Sequence, residues 1–258
     1  MYILYIVRLV NGRPHLICVD RLPKVIITLN NIRSTNKTNL KYKGYVMINI
    51  NPLETSPRAL YRILVSLVVP RPIAFTTSQN ADGLVNAAPF SYFTLTGHNP
   101  PRLVVCVNDR GDQPKDTARN AAETGEFVVH IVDEDLTETA NLASGDYPAS
   151  TSEVELLGLE LVPSTIVKVP RLAAAPAAFE CKLEQLVRLE GSPATSMLIG
   201  RVVWLHLRED LLEGERVRLE KLRPVARLGG DDYLKVATAD QIAMPRPVID
   251  PNSGNALR

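Results

Sequence analysis

Proline placement constrains this chain more than any other feature. The stretch VVPRPIAFTTSQNADGLVNAAPFSYF, residues 68–93, puts Pro70 and Pro72 at one edge and Pro89 at the other edge of what otherwise reads as a β-hairpin. Proline has no N–H to give to a ladder, so within sheets it is confined to edge strands, strand starts and bulges. Two explanations fit: a poorly built hairpin, or strand edges kept out of the sheet to face a bound molecule. Residues 73–78 predict the first strand, Asn80-Ala81-Asp82-Gly83 the turn, and residues 84–90 the returning strand.

The flanking sequence has the same character. Ser56-Pro57 predicts a helix start, with Leu60, Ile63, Leu64 and Leu67 at helical spacing and Pro70 ending it. After Asn99-Pro100-Pro101 the spacing predicts a buried strand over 103–108. A short helix follows, opened by Lys115-Asp116-Thr117, running through Ala122 and closed by Gly125, and then a strand over 126–132. Residues 135–143 carry one or two helical turns, and 145–176, with four prolines, read mostly as loop. Two long strands, 179–189 and 197–207, flank Gly191-Ser192-Pro193. In the first, Cys181, Leu183, Gln185, Val187 and Leu189 share one face by alternation. Many strands, tight turns and short helices predict a mainly β fold with antiparallel pairing, closed into a barrel to hide its edges.

Composition narrows the function. A net charge of +1 argues against a nucleic-acid footprint, and no run of apolar residues reaches the length of a membrane span. The three cysteines, Cys18, Cys106 and Cys181, are scattered, which fits reduced thiols in a cytoplasmic protein and disfavours zinc. Charge is uneven: residues 1–46 hold eight Lys/Arg against one acid, Asp20, and contain neither alanine nor glutamate. Residues 1–46 are therefore expected to be an extension, either a basic, disordered arm or upstream sequence ahead of a true start at Met47. The main domain is expected over 47–245, with a polar tail over 246–258.

Hydrolytic chemistry lacks its parts. There is no G-x-S-x-G, and His130 and His206 lie in apolar strand runs that suit structural histidines. His98 reads as a loop residue, and the acidic groups at 133–135 and 231–232 read as solvated turns. No G-x-G-x-x-G and no strand–helix alternation of the Rossmann kind occurs. Anion-binding elements remain. Lys115, Asp116 and Thr117 place a cation, an N-cap carboxylate and a hydroxyl at a helix N-terminus, a ready phosphate site. Thr76, Thr77 and Ser78 add three hydroxyls. Arg71-Pro72 and Ala88-Pro89 would leave neighbouring backbone groups free for a planar polar ring.

In order, the motifs are P-R-P-I-A-F-T-T-S, D-G, N-A-A-P-F-S-Y-F, N-P-P and K-D-T-x-x-N-x-x-x-T-G-E-F-V-V-H; F-E-C, I-G-R-V-V and P-V-A-R-L-G-G-x-x-Y follow. This set resembles the flavin reductase-like family of FMN-binding split-barrel proteins, the flavoredoxin branch in particular, over about residues 47–240. The resemblance implies a split β-barrel that binds FMN and takes electrons from NAD(P)H. It implies an isoalloxazine seat from Arg71, Pro72, Ile73, Ala74, Asn86, Ala88, Pro89, Phe90 and Ser91. The hydroxyls of Thr76, Thr77 and Ser78 would reach the ribityl chain or phosphate; Lys115 and Thr117 would hold the phosphate, and Asp116 would cap the helix. No side chain need act as acid or base, since the flavin carries the reactivity. A homodimer is implied, with free flavin, a partner monooxygenase or another small molecule as acceptor. The alternative is a non-enzymatic FMN electron carrier reduced by a protein partner. Reductases of this group often carry a histidine shortly after the R…Y segment; here Leu234-Lys235-Val236 follows Tyr233 instead.

Overall fold

The computed structural model describes residues 47–148 and 151–244 in full; outside them it describes only the backbone of a few short strands. The chain divides into two compact units, Met1–Leu67 and Val68–Arg258. In the first, Tyr5–Val10 pairs with Arg13–Cys18 and Lys41–Tyr42 with Tyr45–Val46. Most of the expected extension over 1–46 and of the tail over 246–258 lies outside the described residues. Helix α1 (Pro57–Leu67) starts as the Ser-Pro pair predicts, with Ser56 Oγ accepting from the Ala59 amide at 3.4 Å.

The second unit is built on seven strands: β1 (Ala74–Gln79), β2 (Val85–Phe90), β3 (Phe93–His98), β4 (Pro101–Asn108), β5 (Glu126–Ile131), β6 (Ala177–Leu189) and β7 (Thr195–Leu207). They form one sheet in the order β2-β1-β5-β6-β7-β4-β3, every neighbouring pair antiparallel. Flat, such a sheet would separate its edges by about 29 Å at the usual strand spacing. Only Ser91 and Tyr92 join the edge strands β2 and β3, a link that spans at most about 11 Å. The sheet must therefore curl on itself, leaving a seam between β2 and β3. A smaller antiparallel sheet joins Arg71–Pro72, Val225–Arg227 and Tyr233–Lys235.

Helix α2 (Asp116–Thr124) ends at Gly125, whose φ of 72° closes the helix in the left-handed region that glycine adopts without a Cβ penalty. Ala118 and Ala121 of α2 enter the same core as Ala74, Val105, Phe127, Val129, Cys181 and Leu198, so small side chains let the helix lie close to the strands. On the opposite face, Phe75 and Ala87 pack with Ala140 of α3 (Thr137–Leu142) and Val154 of α4 (Glu153–Leu156). Strand β1 is thus buried on both faces, which is why AFTTSQ does not alternate between apolar and polar residues.

The described residues of 145–176 are mostly loop, as expected, with α4 and a short ladder of Leu161–Val162 with Arg171–Leu172 set in them. Two expectations need correction. The even alternation expected along the first long strand fails, because the β6–β7 register shifts between Glu180 and Cys181 and again between Leu183 and Gln185. These bulges bury Glu180 and Cys181 together and leave Gln185 exposed. A third strand, β3, follows the hairpin and carries the seam; Thr94, Leu95 and Thr96 are all exposed on it, so alternation gave no signal.

Candidate functional site

The register of the β1–β2 hairpin pairs the residues singled out by sequence: Ala74 with Phe90, Thr76 with Ala88 and Ser78 with Asn86. At its open end, buried Arg71 donates from Nε to Ser91 Oγ at 3.3 Å, from Nη1 to the Val68 carbonyl at 2.8 Å and from Nη2 to the Leu228 carbonyl at 2.9 Å. The guanidinium thus fixes the exit of β2 and the small sheet at once. Pro72 is exposed in that sheet opposite Ala226, and Ile73 is buried against the α3–α4 face.

Toward the turn, the hairpin meets α2. Asn120 Nδ2 donates to Ser78 Oγ at 3.2 Å. The Asn86 amide, turned so that every neighbour is satisfied, donates to Glu153 Oε2 at 3.1 Å and accepts from Thr117 Oγ1 at 3.0 Å. The Ala87 amide also donates to Glu153 Oε2, at 3.2 Å. One polar chain therefore runs from α4 through β2 to the first turn of α2. Glu153 is buried, and its burial pushes the carboxyl above the ordinary carboxylate range, with the charge of Asp116 adding to the rise.

The three hydroxyls do not converge. Thr76, Thr77 and Ser78 are fully buried. Thr77 points to the other side of β1 and donates to the Pro170 carbonyl at 2.7 Å, Thr76 Oγ1 turns back to the Ala74 carbonyl at 3.4 Å, and Ser78 is taken by Asn120. Asp116 is not the N-cap either. Lys115 holds that position with extended backbone and no side-chain cap, while Asp116 sits in the first turn and pairs with Arg119.

What the helix start presents is a half-buried Lys115 that makes no ion pair or side-chain hydrogen bond among the described residues. The Asp116 and Thr117 amides of this nine-residue helix likewise find no acceptor among them. A partly desolvated cation beside two free helix-terminal amides suits an anion such as a phosphate. Ala88, Pro89, Phe90 and Ser91, all half-buried, run along the seam from Asn86, the residue that Thr117 of α2 holds.

Pro89 now has a physical account. Residues 85, 87 and 89 face the outer edge of β2. There the Val85 carbonyl accepts from Ser152 Oγ at 2.6 Å, the Ala87 amide is held by Glu153, and Pro89 has no N–H to satisfy. The Val85 carbonyl and the Ala87 amide are thus held by Ser152 and Glu153 at the start of α4 rather than left free for a ring. Sequence reasoning missed Ser152 and Glu153. Ser152-x-x-Glu155 is a recognisable helix-start pattern, and Ser152 Oγ does accept from the Glu155 amide at 3.4 Å, but nothing in it marks Glu153 as buried.

His130 and His206 are structural, as their settings in the strands suggested. His130 is fully buried, with Nδ1 2.8 Å from the Phe75 carbonyl and Nε2 accepting from the Leu172 amide at 2.9 Å; burial pushes its pKa down to about 4. A cavity of about 410 Å³ lies between α3 and Tyr233, and two pairs on its wall are already made: Lys235 with Glu134 at 2.9 Å and the Tyr233 hydroxyl with Asn141 Oδ1 at 3.1 Å.

Residues 66–221 match the flavin reductase like domain. The structure of nitrilotriacetate monooxygenase component B from Bacillus cereus is 41% identical, with a TM-score of 0.74 over 77% of this chain and 98% of that one. The 2-nitrobenzoate 2-nitroreductase NbaA of Pseudomonas fluorescens is 38% identical, with a TM-score of 0.70 over 80% of this chain and 100% of that one. A Shewanella frigidimarina structure with a split barrel domain shares the fold at 20% identity, with a TM-score of 0.67 over 78% of this chain and all of that one, 100%. No helix among the described residues is long and apolar enough to cross a membrane.

Proposed function

This chain belongs to the flavin reductase-like domain family, and we propose that it is an FMN-binding oxidoreductase that takes hydride from NAD(P)H and passes electrons to free flavin, a partner monooxygenase or another small acceptor. The observation that carries the reading is Lys115, a half-buried cation with no ion pair among the described residues, at the start of α2, the helix whose Thr117 bonds Asn86 of the proline-edged hairpin. The residues present fit FMN. The Lys115 ammonium and the Asp116 and Thr117 amides would hold the phosphate, and residues 88–91 would border the ring.

Flavin bound there would supply the two-electron chemistry, accepting hydride from a nicotinamide. The protein's share is position. Arg71 clamps Ser91 and so sets the seam-side end of β2, the Asn86–Thr117 bond locks the hairpin to α2, and Glu153 holds both Asn86 and the Ala87 amide. A fixed seat of this kind lowers the reorganisation that binding and transfer would otherwise cost. The monooxygenase component and the nitroreductase among the similar structures support a diffusible or protein-bound acceptor.

The flavin domain of this proposal spans residues 47–245, and its working form is a homodimer. Supporting the second point, Leu95 of β3 and Trp204 and Leu205 of β7 leave large apolar side chains exposed. The rival is a carrier reduced only by a protein partner. It is favoured by one feature: Lys235, paired to Glu134, stands in the segment after Tyr233 where reductases of this group often carry a histidine.

Anaerobic titration of the FMN-loaded protein with NADH, and with NADPH in parallel, decides between them. The reductase reading expects the flavin absorbance to bleach at a rate proportional to protein concentration. Absorbance that persists with both nucleotides refutes it in favour of the carrier.

A further inference from the structure

Glu153 stands at one end of a short polar chain whose other end is the first turn of α2. Its Oε2 accepts from the Asn86 side chain at 3.1 Å and from the Ala87 amide at 3.2 Å, and Asn86 in turn accepts from Thr117 Oγ1 at 3.0 Å. A glutamine could make the same two contacts through its single carbonyl oxygen. What a carboxyl adds is the ability to change charge, and it does so behind the proposed phosphate corner.

The charges around it are few. From α2 it faces Asp116, which pairs with Arg119; from the loop before α2 it faces Arg110, which pairs with Asp146 at 3.2 Å. Strand β2, with the sequence VNAAPF, brings no charged group. Counting Lys115, the corner holds three cations, Arg110, Lys115 and Arg119, against three acids, Asp116, Asp146 and Glu153. A phosphate dianion would leave it strongly negative while Glu153 is ionised.

We propose that Glu153 couples phosphate binding at α2 to proton uptake, so that the carboxyl is neutral when the phosphate is seated and ionises more readily when it is not. The proton comes from solvent and converts the carboxylate to the acid. Both hydrogen bonds from β2 end on Oε2, so Oε1 can carry the proton without breaking either. Burial already raises the pKa of this carboxyl, and a new negative charge nearby moves it in the same direction. By linkage, the same coupling weakens phosphate binding as pH rises through the carboxyl's titration.

The inference rests on reading the α2 start as the phosphate seat, and the experiment separates the two. FMN and riboflavin, which lacks the phosphate, are each titrated calorimetrically into the wild type and into Glu153→Gln. Two buffers of different ionisation enthalpy at mildly acidic pH give the protons exchanged. Because FMN's own phosphate also titrates there, the quantity of interest is the difference between the two proteins. The wild type is expected to take up more protons with FMN than Glu153→Gln, and riboflavin is expected to show no such difference. From mildly acidic to mildly alkaline pH, FMN affinity of the wild type should fall relative to the variant by about fivefold or more, the lower range of site–site coupling. Equal proton counts for FMN in the two proteins, with FMN still preferred over riboflavin, overturn the coupling alone. If FMN and riboflavin bind alike in the wild type, the phosphate seat fails and the coupling falls with it. The wild-type comparison of FMN with riboflavin needs no variant to fold.

Discussion

Replacing Glu180 with glutamine removes a charge while barely changing the size of a fully buried side chain. Its Oε1 accepts from the Thr165 amide at 2.6 Å and from His206 Nε2 at 2.6 Å; its Oε2 accepts from the Ile166 amide at 2.7 Å and the Val167 amide at 3.0 Å. A loop of three successive amides is thereby pinned to the bulge in β6. Glutamine offers one oxygen in place of two. Its best arrangement turns the NH₂ toward His206, which then accepts at Nε2, and leaves the Thr165 amide without an acceptor. Thr165 is itself exposed, so the loss of its acceptor costs about 1 kcal/mol, the low end for an unpaired group, and two bonds that lose their charged acceptor weaken by about 1 kcal/mol each. The expected loss is about 3 kcal/mol, or a Tm lowered by roughly 10 °C.

Chemical unfolding followed by circular dichroism, and by the single tryptophan, Trp204, which pairs across the ladder with Glu180, measures it. The pH dependence adds a second test. Burial would raise the Glu180 carboxyl, but the three amides and His206 outweigh it and hold the group below the ordinary range. Its stabilisation is therefore complete above the unfolded value of about 4.3 and is lost as pH falls through the folded one. The gap between wild type and Glu180→Gln should close in acid. A variant within about 1 kcal/mol of wild type at neutral pH would refute the reasoning, because a single orphaned amide should already cost that much.

Two further substitutions or titrations test the core. A Cβ on Gly200 would lie 2.5 Å from Phe127 Cζ and 3.1 Å from Cys181 Cβ, so Gly200→Ala should destabilise by about 1–3 kcal/mol. Adding Phe127→Leu should recover part of that loss in the same unfolding assay. His130 should remain neutral in NMR titration down to about pH 4, since burial lowers its pKa to that value. The native state then binds fewer protons than the unfolded chain, so this group makes stability rise from about pH 4 to its unfolded value near 6.5. Protonation of His130 near 6.5 without loss of structure would contradict this.

Much of the barrel could be read from local signals that agree with the fold. The Ser-Pro start of α1, the turn at residues 80–83, where Asn80 Oδ1 accepts from the Leu84 amide at 2.8 Å, and the glycine ending α2 each follow from chemistry within a few residues. The hairpin and α2 were found for the same reason, and they do come together. What stayed hidden depends on partners far apart in sequence. That Thr77 turns to Pro170 and Ser78 to Asn120 is set by which face of a doubly buried strand each occupies, and AFTTSQ carries no alternation to show it. Glu153 reaches the β2 edge only because α4 packs there, and the bulges that bury Glu180 beside Cys181 break the period on which strand reading depends. The N-cap was misplaced by one residue because Asp is the commoner cap; here its carboxylate is taken by Arg119.

The account's central claim is that a flavin phosphate sits on Lys115 at the start of α2. Fluorescence titration of FMN and of riboflavin into the wild type and Lys115→Ala tests it most directly. Loss of a charge-assisted contact worth about 1.5–3 kcal/mol should weaken FMN binding by roughly tenfold to a hundredfold and leave riboflavin affinity unchanged. FMN binding that is equally tight in both proteins would contradict the claim and move the phosphate elsewhere.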